Sequence, residues 1–311
     1  MIYVTQGLPD SIGPEIFLKS VLLLTSPERA RIIFFCDKKT IETTLSSMKI
    51  EYVFSASAVS YAGITLGCEF VDGRPGTRTM AALLSALDKI RAGNAKDILL
   101  TLPSSKNEFI HEAESFAGHT EFFRHFFHIP DAGMFFKSPS SNILLLTDHV
   151  SLQAISHNLT KERITEKVAL SLTGHAKYFG TLKDVVFAGI NPHAGENGIL
   201  GTGEEIIEAA IIDLRKRFTA TTFSGPFAGD SLTQKLDDSE NQLLVYSYHD
   251  QGLASFKSIH GLMGLNLSLG LPFLRMSVDH GTATALFGKN QALYHGCLFM
   301  LKEALRTDIR G

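Results

Sequence analysis

Twelve histidines punctuate the chain, and three of them share one placement. His149 follows Leu144-Leu145-Leu146-Thr147-Asp148. His193 follows the run from Val185 to Ile190 and then Asn191-Pro192. His249 follows the run from Leu243 to Tyr248. A neutral imidazole offers a ring nitrogen to a metal, and three imidazoles with one open position make a catalytic metal set. An ion held there would polarise an alcohol or carbonyl oxygen. The competing reading of each residue is a capped or solvated histidine at a strand end, and the pattern alone leaves both open.

The neighbours add chemistry. Asn191-Pro192-His193-Ala194-Gly195-Glu196 reads as a rigid turn with small residues around one imidazole. Tyr248-His249-Asp250-Gln251-Gly252 sets an imidazole, a carboxylate and an amide before a glycine. Downstream, Lys257, Asn266 and Arg275 form a set suited to an anion. Solvated surface charge is the other reading of Lys257 and Arg275. Against it, Arg275 lies in the apolar run Leu271 to Val278, where an unpaired guanidinium is costly. Gly118-His119-Thr120-Glu121 places a further imidazole beside a hydroxyl, followed by a phenylalanine-rich helix that reads as core.

These residues need elements to position them. Short, non-alternating apolar runs occur at Ile32 to Cys36, Ile98 to Leu102, Ile143 to Thr147, Val185 to Ile190 and Leu243 to Tyr248. Such runs suit strands buried on both faces, as in a parallel sheet. Between them, Met80, Leu83, Leu84, Leu87 and Ile90 follow helical spacing, with Gly93 placed to stop the helix. Ile206, Ile207, Ala210, Ile211 and Leu214 do the same, and Thr202 with Glu205 predicts a capping box. Pro14 fits the first turn of another helix. Alternating strands and helices predict an α/β fold with a mostly parallel sheet. All three imidazoles would then stand at the carboxyl edge, where such sheets bind ligands.

The 311 residues, 44% hydrophobic and 20% charged, supply one large or two smaller domains with a real core. Disorder is excluded as the dominant state. A net charge of −3, from 29 basic and 32 acidic residues, gives no general attraction to nucleic acid or an anionic membrane. Three scattered cysteines with no Cys-x-x-Cys pair argue against a thiolate zinc motif and a disulfide framework. No secretory leader pattern opens the chain, and no apolar run approaches the ~20 residues that span a bilayer. A cytoplasmic protein is expected. The common nucleotide and hydrolase signatures are missing. Gly201-Thr202-Gly203 has Ile206 at the third glycine position, Gly288-Lys289 lacks its upstream glycine, and no Gly-x-Ser-x-Gly occurs.

Six segments carry a likeness: GHTEFF (118–123), LLTDHVSL (145–152), NPHAGE (191–196), YHDQGL (248–253) with Lys257, GLNLSLGLPF (264–273) and RMSVDHGTA (275–283). In this order and spacing they resemble the 4-hydroxythreonine-4-phosphate dehydrogenase family of vitamin B6 biosynthesis. The resemblance runs from the N-terminus to about residue 290. It implies a two-domain α/β/α fold like the isocitrate and isopropylmalate dehydrogenases. Residues 1–120 with 277–311 would form a discontinuous first domain and 121–276 the second, with the active site in the cleft. It also implies a homodimer whose active site lies at the subunit interface.

By the same resemblance, His149, His193 and His249 match the ligands of a divalent metal (zinc, magnesium or cobalt), with His249 presented to the neighbouring subunit's site. His119, Thr120, Lys257, Asn266 and Arg275 match contacts to a small phosphorylated hydroxy amino acid. NAD or NADP would bind partly through Asp279, Gly281, Thr282 and Lys289. Lys257 is the candidate proton carrier or anion contact, and Asp250 its tuning partner. The expected reaction is oxidation of a secondary alcohol followed by loss of CO₂. Two stretches depart from the family pattern: Gly7-Leu8-Pro9-Asp10-Ser11-Ile12-Gly13-Pro14-Glu15, where an acidic residue has moved and a glycine is lost, and Ala285 in place of an acidic residue. Two alternatives stay open. One is a related dehydrogenase of another 3-hydroxy acid, such as a phosphorylated four-carbon sugar acid. The other is a non-oxidative phosphate-metabolite binder or acyltransferase on the same fold.

Overall fold

The uninterrupted apolar runs become strands that pair in parallel and are buried along their length. The computed structural model describes residues 1–73, 77–93, 96–111, 114–129, 133–237 and 240–310, without the side chains of 308–310. The chain divides into two compact units, Met1–Ile129 with Leu271–Gly311, and Pro130–Gly270.

In the first unit the strand order is Leu274–Val278, Ile98–Thr101, Ile2–Thr5, Ile32–Cys36, Ile64–Phe70, Ala58–Tyr61 and Tyr52–Phe54. The first five run parallel, in registers such as Ile2 with both Ile32 and Ile98. The last two pair antiparallel, a meander that the apolar runs did not announce because its strands are half-exposed. Helix Ile12–Val21 starts at Ser11, whose Oγ accepts the Gly13 N–H, with Pro14 in its first turn. Helix Arg78–Ala92 stops at Gly93. It lays Met80, Leu83 and Leu87 against Phe35, Leu99, Phe122, Phe123 and Phe273. Burying each such side chain contributes about 1.5–3 kcal/mol.

In the second unit the order is Thr222–Phe227, Asp184–Ala188, Gln242–Tyr246, Asn142–Leu145, Met134–Lys137 and Leu265–Ser268. The first four are parallel, and Met134–Lys137 runs antiparallel to both its neighbours. Met134, Phe136, Ile143, Val186, Leu244, Leu253 and Phe256 share one core.

Three expectations need correction. The boundary expected after residue 120 falls inside helix His119–Phe126, which stays whole in the first unit because Phe122 and Phe123 are sealed in its core. The boundary expected after 276 falls inside strand Leu274–Val278, which pairs with Ile98–Thr101 of that unit. The capping box at Thr202 does not form. Gly203 caps helix Glu204–Arg217 with φ +121°, and its N–H donates to Glu205 Oε2 at 2.8 Å. Among the described residues no helix is long and apolar enough to cross a membrane. Cys36, Cys68 and Cys297 are buried free thiols.

Candidate functional site

The three strands that precede the histidines are neighbours in the second unit. Gln242–Tyr246 lies between Asp184–Ala188 and Asn142–Leu145, and all three run parallel. Pairing continues past the strand ends. Leu146 N–H donates to Tyr246 O at 2.8 Å, and Thr147 Oγ1 to Ser247 O at 2.8 Å. His149 and His249 each stand two residues beyond that last pair. Their rings meet with centroids 5.5 Å apart.

The segment leading to His149 and the ring of His249 are each held from behind. Lys167, fully buried on helix Lys161–Tyr178, donates from Nζ to Leu146 O at 3.0 Å and to Asp148 Oδ1 at 3.3 Å. His249 opens helix His249–His260, and its Nδ1 lies 2.7 Å from Asp250 Oδ1. With Nδ1 bonded to a carboxylate, Nε2 is the nitrogen left to face a ligand. Gln251 ties the segment down, accepting from Ser247 N–H at 2.8 Å and donating to Gly189 O at 2.8 Å.

His193 occupies a different kind of support. From His193 to Asn197, five successive residues adopt left-handed φ angles between +45° and +75°. For L-residues each costs about 1–2 kcal/mol. The turn is held by Glu204, a buried carboxylate on helix Glu204–Arg217. It accepts the N–H groups of Ile190 at 3.0 Å and Asn191 at 2.8 Å, and the Asn191 side-chain amide at 3.1 Å. A Cβ on Gly195 would sit 2.7 Å from Glu204 Oε2, so only glycine fits against the clamp. The exposed His193 lines a cavity of about 260 Å³ with Asp230, Tyr248 and Gln251.

Two imidazoles on one tetrahedral ion, with Zn–N near 2.0–2.1 Å, put ring centres roughly 5 Å apart. The His149–His249 pair therefore fits a divalent metal in donor type and spacing. Within one chain His193 does not complete the set. Among the described residues no group of three or more His, Cys, Asp or Glu side chains is placed to hold a metal. His249, which the resemblance presents to a neighbouring subunit, lies against His149 of its own chain. Lys257 is exposed on the helix that His249 opens, about 12 Å further along it. Asn266 is half-buried on Leu265–Ser268, opposite Phe136.

The first unit holds the other candidates. Arg275 is 3% exposed, and its Nε and Nη2 donate to Thr101 Oγ1 at 3.0 and 2.6 Å. Its guanidinium lies 5.8 Å from the Phe123 ring centre. Burial draws its pKa down to about 9, which leaves the cation in place at neutral pH. His119 begins helix His119–Phe126, its ring edge-on to Phe109 at 4.6 Å, and its enclosed Nε2 has no hydrogen-bond partner among the described residues. Burial, and then the Arg275 charge, hold this imidazole well below its usual range, so it is neutral at pH 7. A buried cation beside a neutral imidazole favours an incoming anion. Thr120 is the next, half-buried residue.

Of the expected dinucleotide contacts, Thr282 is anchored: its carbonyl accepts the Ile12 N–H at 3.1 Å. That contact joins the loop to the start of helix Ile12–Val21. Asp279 is half-buried, while Gly281 and Lys289 are exposed.

Sequence reasoning missed Lys167, Glu204 and Thr101, and it noted the Gln251 amide without its partners Ser247 and Gly189. Lys167 and Glu204 read as ordinary charged positions on amphipathic helices. The only local signal was an acidic residue directly after Gly201-Thr202-Gly203.

The profile of the family described as "Pyridoxal phosphate biosynthetic protein PdxA" matches residues 28–304. A relative from Desulforapulum autotrophicum, named 4-hydroxythreonine-4-phosphate dehydrogenase, is 30% identical, covering 100% of this chain and 96% of its own. The solved structure of 4-hydroxythreonine-4-phosphate dehydrogenase from Klebsiella pneumoniae superposes with a TM-score of 0.79 at 24% identity, over 99% of each chain. A terephthalate 1,2-cis-dihydrodiol dehydrogenase from Burkholderia xenovorans is also similar. Its TM-score is 0.63 at 25% identity, over 97% of this chain and 96% of its own.

Proposed function

The chain belongs to the PdxA family of pyridoxal phosphate biosynthetic proteins, and from that premise we propose an NAD(P)-dependent oxidation and decarboxylation. The substrate is 4-phosphooxy-L-threonine and the product 3-amino-2-oxopropyl phosphate, on the route to pyridoxine 5′-phosphate. The observation that carries the reading is the His149–His249 pair, registered at the carboxyl edge of parallel strands.

His149 and His249 would hold a divalent ion (zinc, magnesium or cobalt). When bound, the ion supplies a Lewis acid for the alcohol and keto oxygens, and the nicotinamide supplies the hydride acceptor. Asp250 keeps His249 Nδ1 occupied and the ring oriented. Arg275, a planar fork, would take a carboxylate or phosphate oxygen, with neutral His119 and Thr120 beside it. Asn266 would contact the same substrate. Lys257 would carry a proton or meet the anion. Asp279, Gly281, Thr282 and Lys289 would touch the dinucleotide.

His193 would join the pair in a homodimer, contributed by the second copy. Two features support this. The third imidazole does not converge within one chain. In addition, the loops bearing His149 and His193 expose large apolar side chains, with Leu152 at 71% and Ile199 at 77%, of a kind that association covers.

A nicotinamide absorbance assay tests the reading: 4-phosphooxy-L-threonine with NAD⁺ and a divalent metal should give reduced nicotinamide, and omission of the metal should abolish it. A second reading is favoured by the departures at Asp10 and Ala285 and by the likeness to a dihydrodiol dehydrogenase. It assigns the same chemistry to another 3-hydroxy acid, such as a phosphorylated four-carbon sugar acid. Turnover of that substrate in preference to 4-phosphooxy-L-threonine would replace the first reading with the second. No nicotinamide reduction with either would leave a non-oxidative binder or acyltransferase.

A further inference from the structure

The first unit contains a cavity of about 900 Å³ lined by none of the residues given a metal, substrate or dinucleotide role above. Small-molecule sites occupy about 300–1,000 Å³, so this one has room for far more than a single inorganic ion. It opens beyond the carboxyl ends of the parallel strands Ile2–Thr5, Ile32–Cys36 and Ile64–Phe70, the edge at which open α/β sheets bind ligands.

Its wall sorts into three kinds of group. Lys38, Lys39 and Arg78 are cationic. Arg78 approaches Asp10 and Asp37 only at 3.8 and 3.9 Å, longer than hydrogen bonds, and its enclosed Nε has no hydrogen-bond partner among the described residues. The guanidinium fork thus keeps capacity for a planar pair of anionic oxygens. The acids are Asp10, Asp37 and Asp72. Asp37 is committed to the fold, accepting Thr40 N–H at 2.8 Å, Thr40 Oγ1 at 2.7 Å and Gln6 Nε2 at 3.2 Å. Asp10 and Asp72 are exposed and able to accept hydroxyls. Phe70 gives an apolar wall, with the Lys38 ammonium 5.0 Å from its ring centre.

Cations for a phosphate, carboxylates for sugar hydroxyls and an aromatic wall for a base form one complementary set. We infer that this cavity is a binding site for a ribonucleotide phosphate. The same ribose phosphate could come from a free nucleotide or from a dinucleotide, since the loop at Thr282 is joined through Ile12 to the segment bearing Asp10.

Calorimetric titration of the whole chain with AMP, without metal or hydroxy acid, tests the site. AMP should bind, and the Lys38→Gln/Lys39→Gln chain, altered only at exposed side chains, should bind it at least about tenfold more weakly. Adenosine should bind at least about tenfold more weakly than AMP. Absence of AMP binding at millimolar concentration, equal affinity in the double variant, or inorganic phosphate binding as tightly as AMP would each overturn the inference. His149→Ala should leave AMP affinity unchanged, which separates failure here from failure of the catalytic reading. Inhibition by AMP that is competitive with NAD⁺ would identify the dinucleotide as the source of the ribose phosphate. Binding without competition would identify a free nucleotide.

Discussion

Glu204 accepts the backbone N–H of Asn191 at 2.8 Å, so the first residue of helix Glu204–Arg217 fixes the entry to the left-handed turn that carries His193. The strain of that turn is offset by a buried carboxylate with several donors, each such charged hydrogen bond contributing about 1.5–3 kcal/mol.

Glu204→Gln should therefore loosen the turn, because an amide nitrogen replaces one accepting oxygen and confronts the N–H groups. The expected loss is roughly 1.5–3 kcal/mol in denaturant unfolding, with weaker divalent-metal binding. Glu204→Gln with wild-type stability and wild-type metal affinity would show that the clamp does not set His193.

The histidine pair makes a complementation prediction. His149→Ala and His193→Ala should each abolish metal-dependent turnover. Mixed after subunit exchange, they should regain about a quarter of wild-type activity, since half the dimers are hybrids and each hybrid has one intact site. His149→Ala mixed with His249→Ala should regain none, because both defects fall on the same pair. Recovery in that second mixture would place the two rings in different sites.

Arg275→Lys keeps the charge but loses the fork that meets Thr101 Oγ1 twice. With the protein folded, kcat/KM should fall by roughly ten- to a hundredfold. A change within about twofold in steady-state kinetics would remove Arg275 from substrate binding.

His175 should make stability pH-dependent. Its ring is 2% exposed between Phe135 and Phe179, and burial pulls its pKa to about 4. Below the ordinary imidazole value near 6.5 the unfolded chain takes up the proton first. The contribution is thus complete above about pH 6.5 and is lost as pH falls towards 4, by roughly 3 kcal/mol. His175→Phe should flatten that part of the stability profile in urea titrations. An unchanged slope between pH 6.5 and 4 would assign the acid sensitivity to other groups.

Local pattern identified much of the fold. Uninterrupted runs such as Ile32–Cys36 mark strands buried on both faces, and helical spacing from Met80 to Ile90 marks one apolar stripe. Those signals depend on burial, which a residue's immediate neighbours reveal. The edge meander from Tyr52 to Phe70 gave no comparable signal. Its outer strands are half-exposed, and their composition is correspondingly mixed.

The site divides in the same way. The sequence by itself determined that three histidines end apolar strands, that Arg275 sits in an apolar run, and which family's motifs the chain carries. Only the tertiary structure decided that His149 and His249 meet, because strand order and register set that distance. It alone supplied Arg275 with Thr101, 174 positions away in the chain, and His193 with the Glu204 clamp. Hydrophobic periodicity encodes which face of an element is buried. It does not encode which element lies opposite, and that choice emerges when the whole core packs.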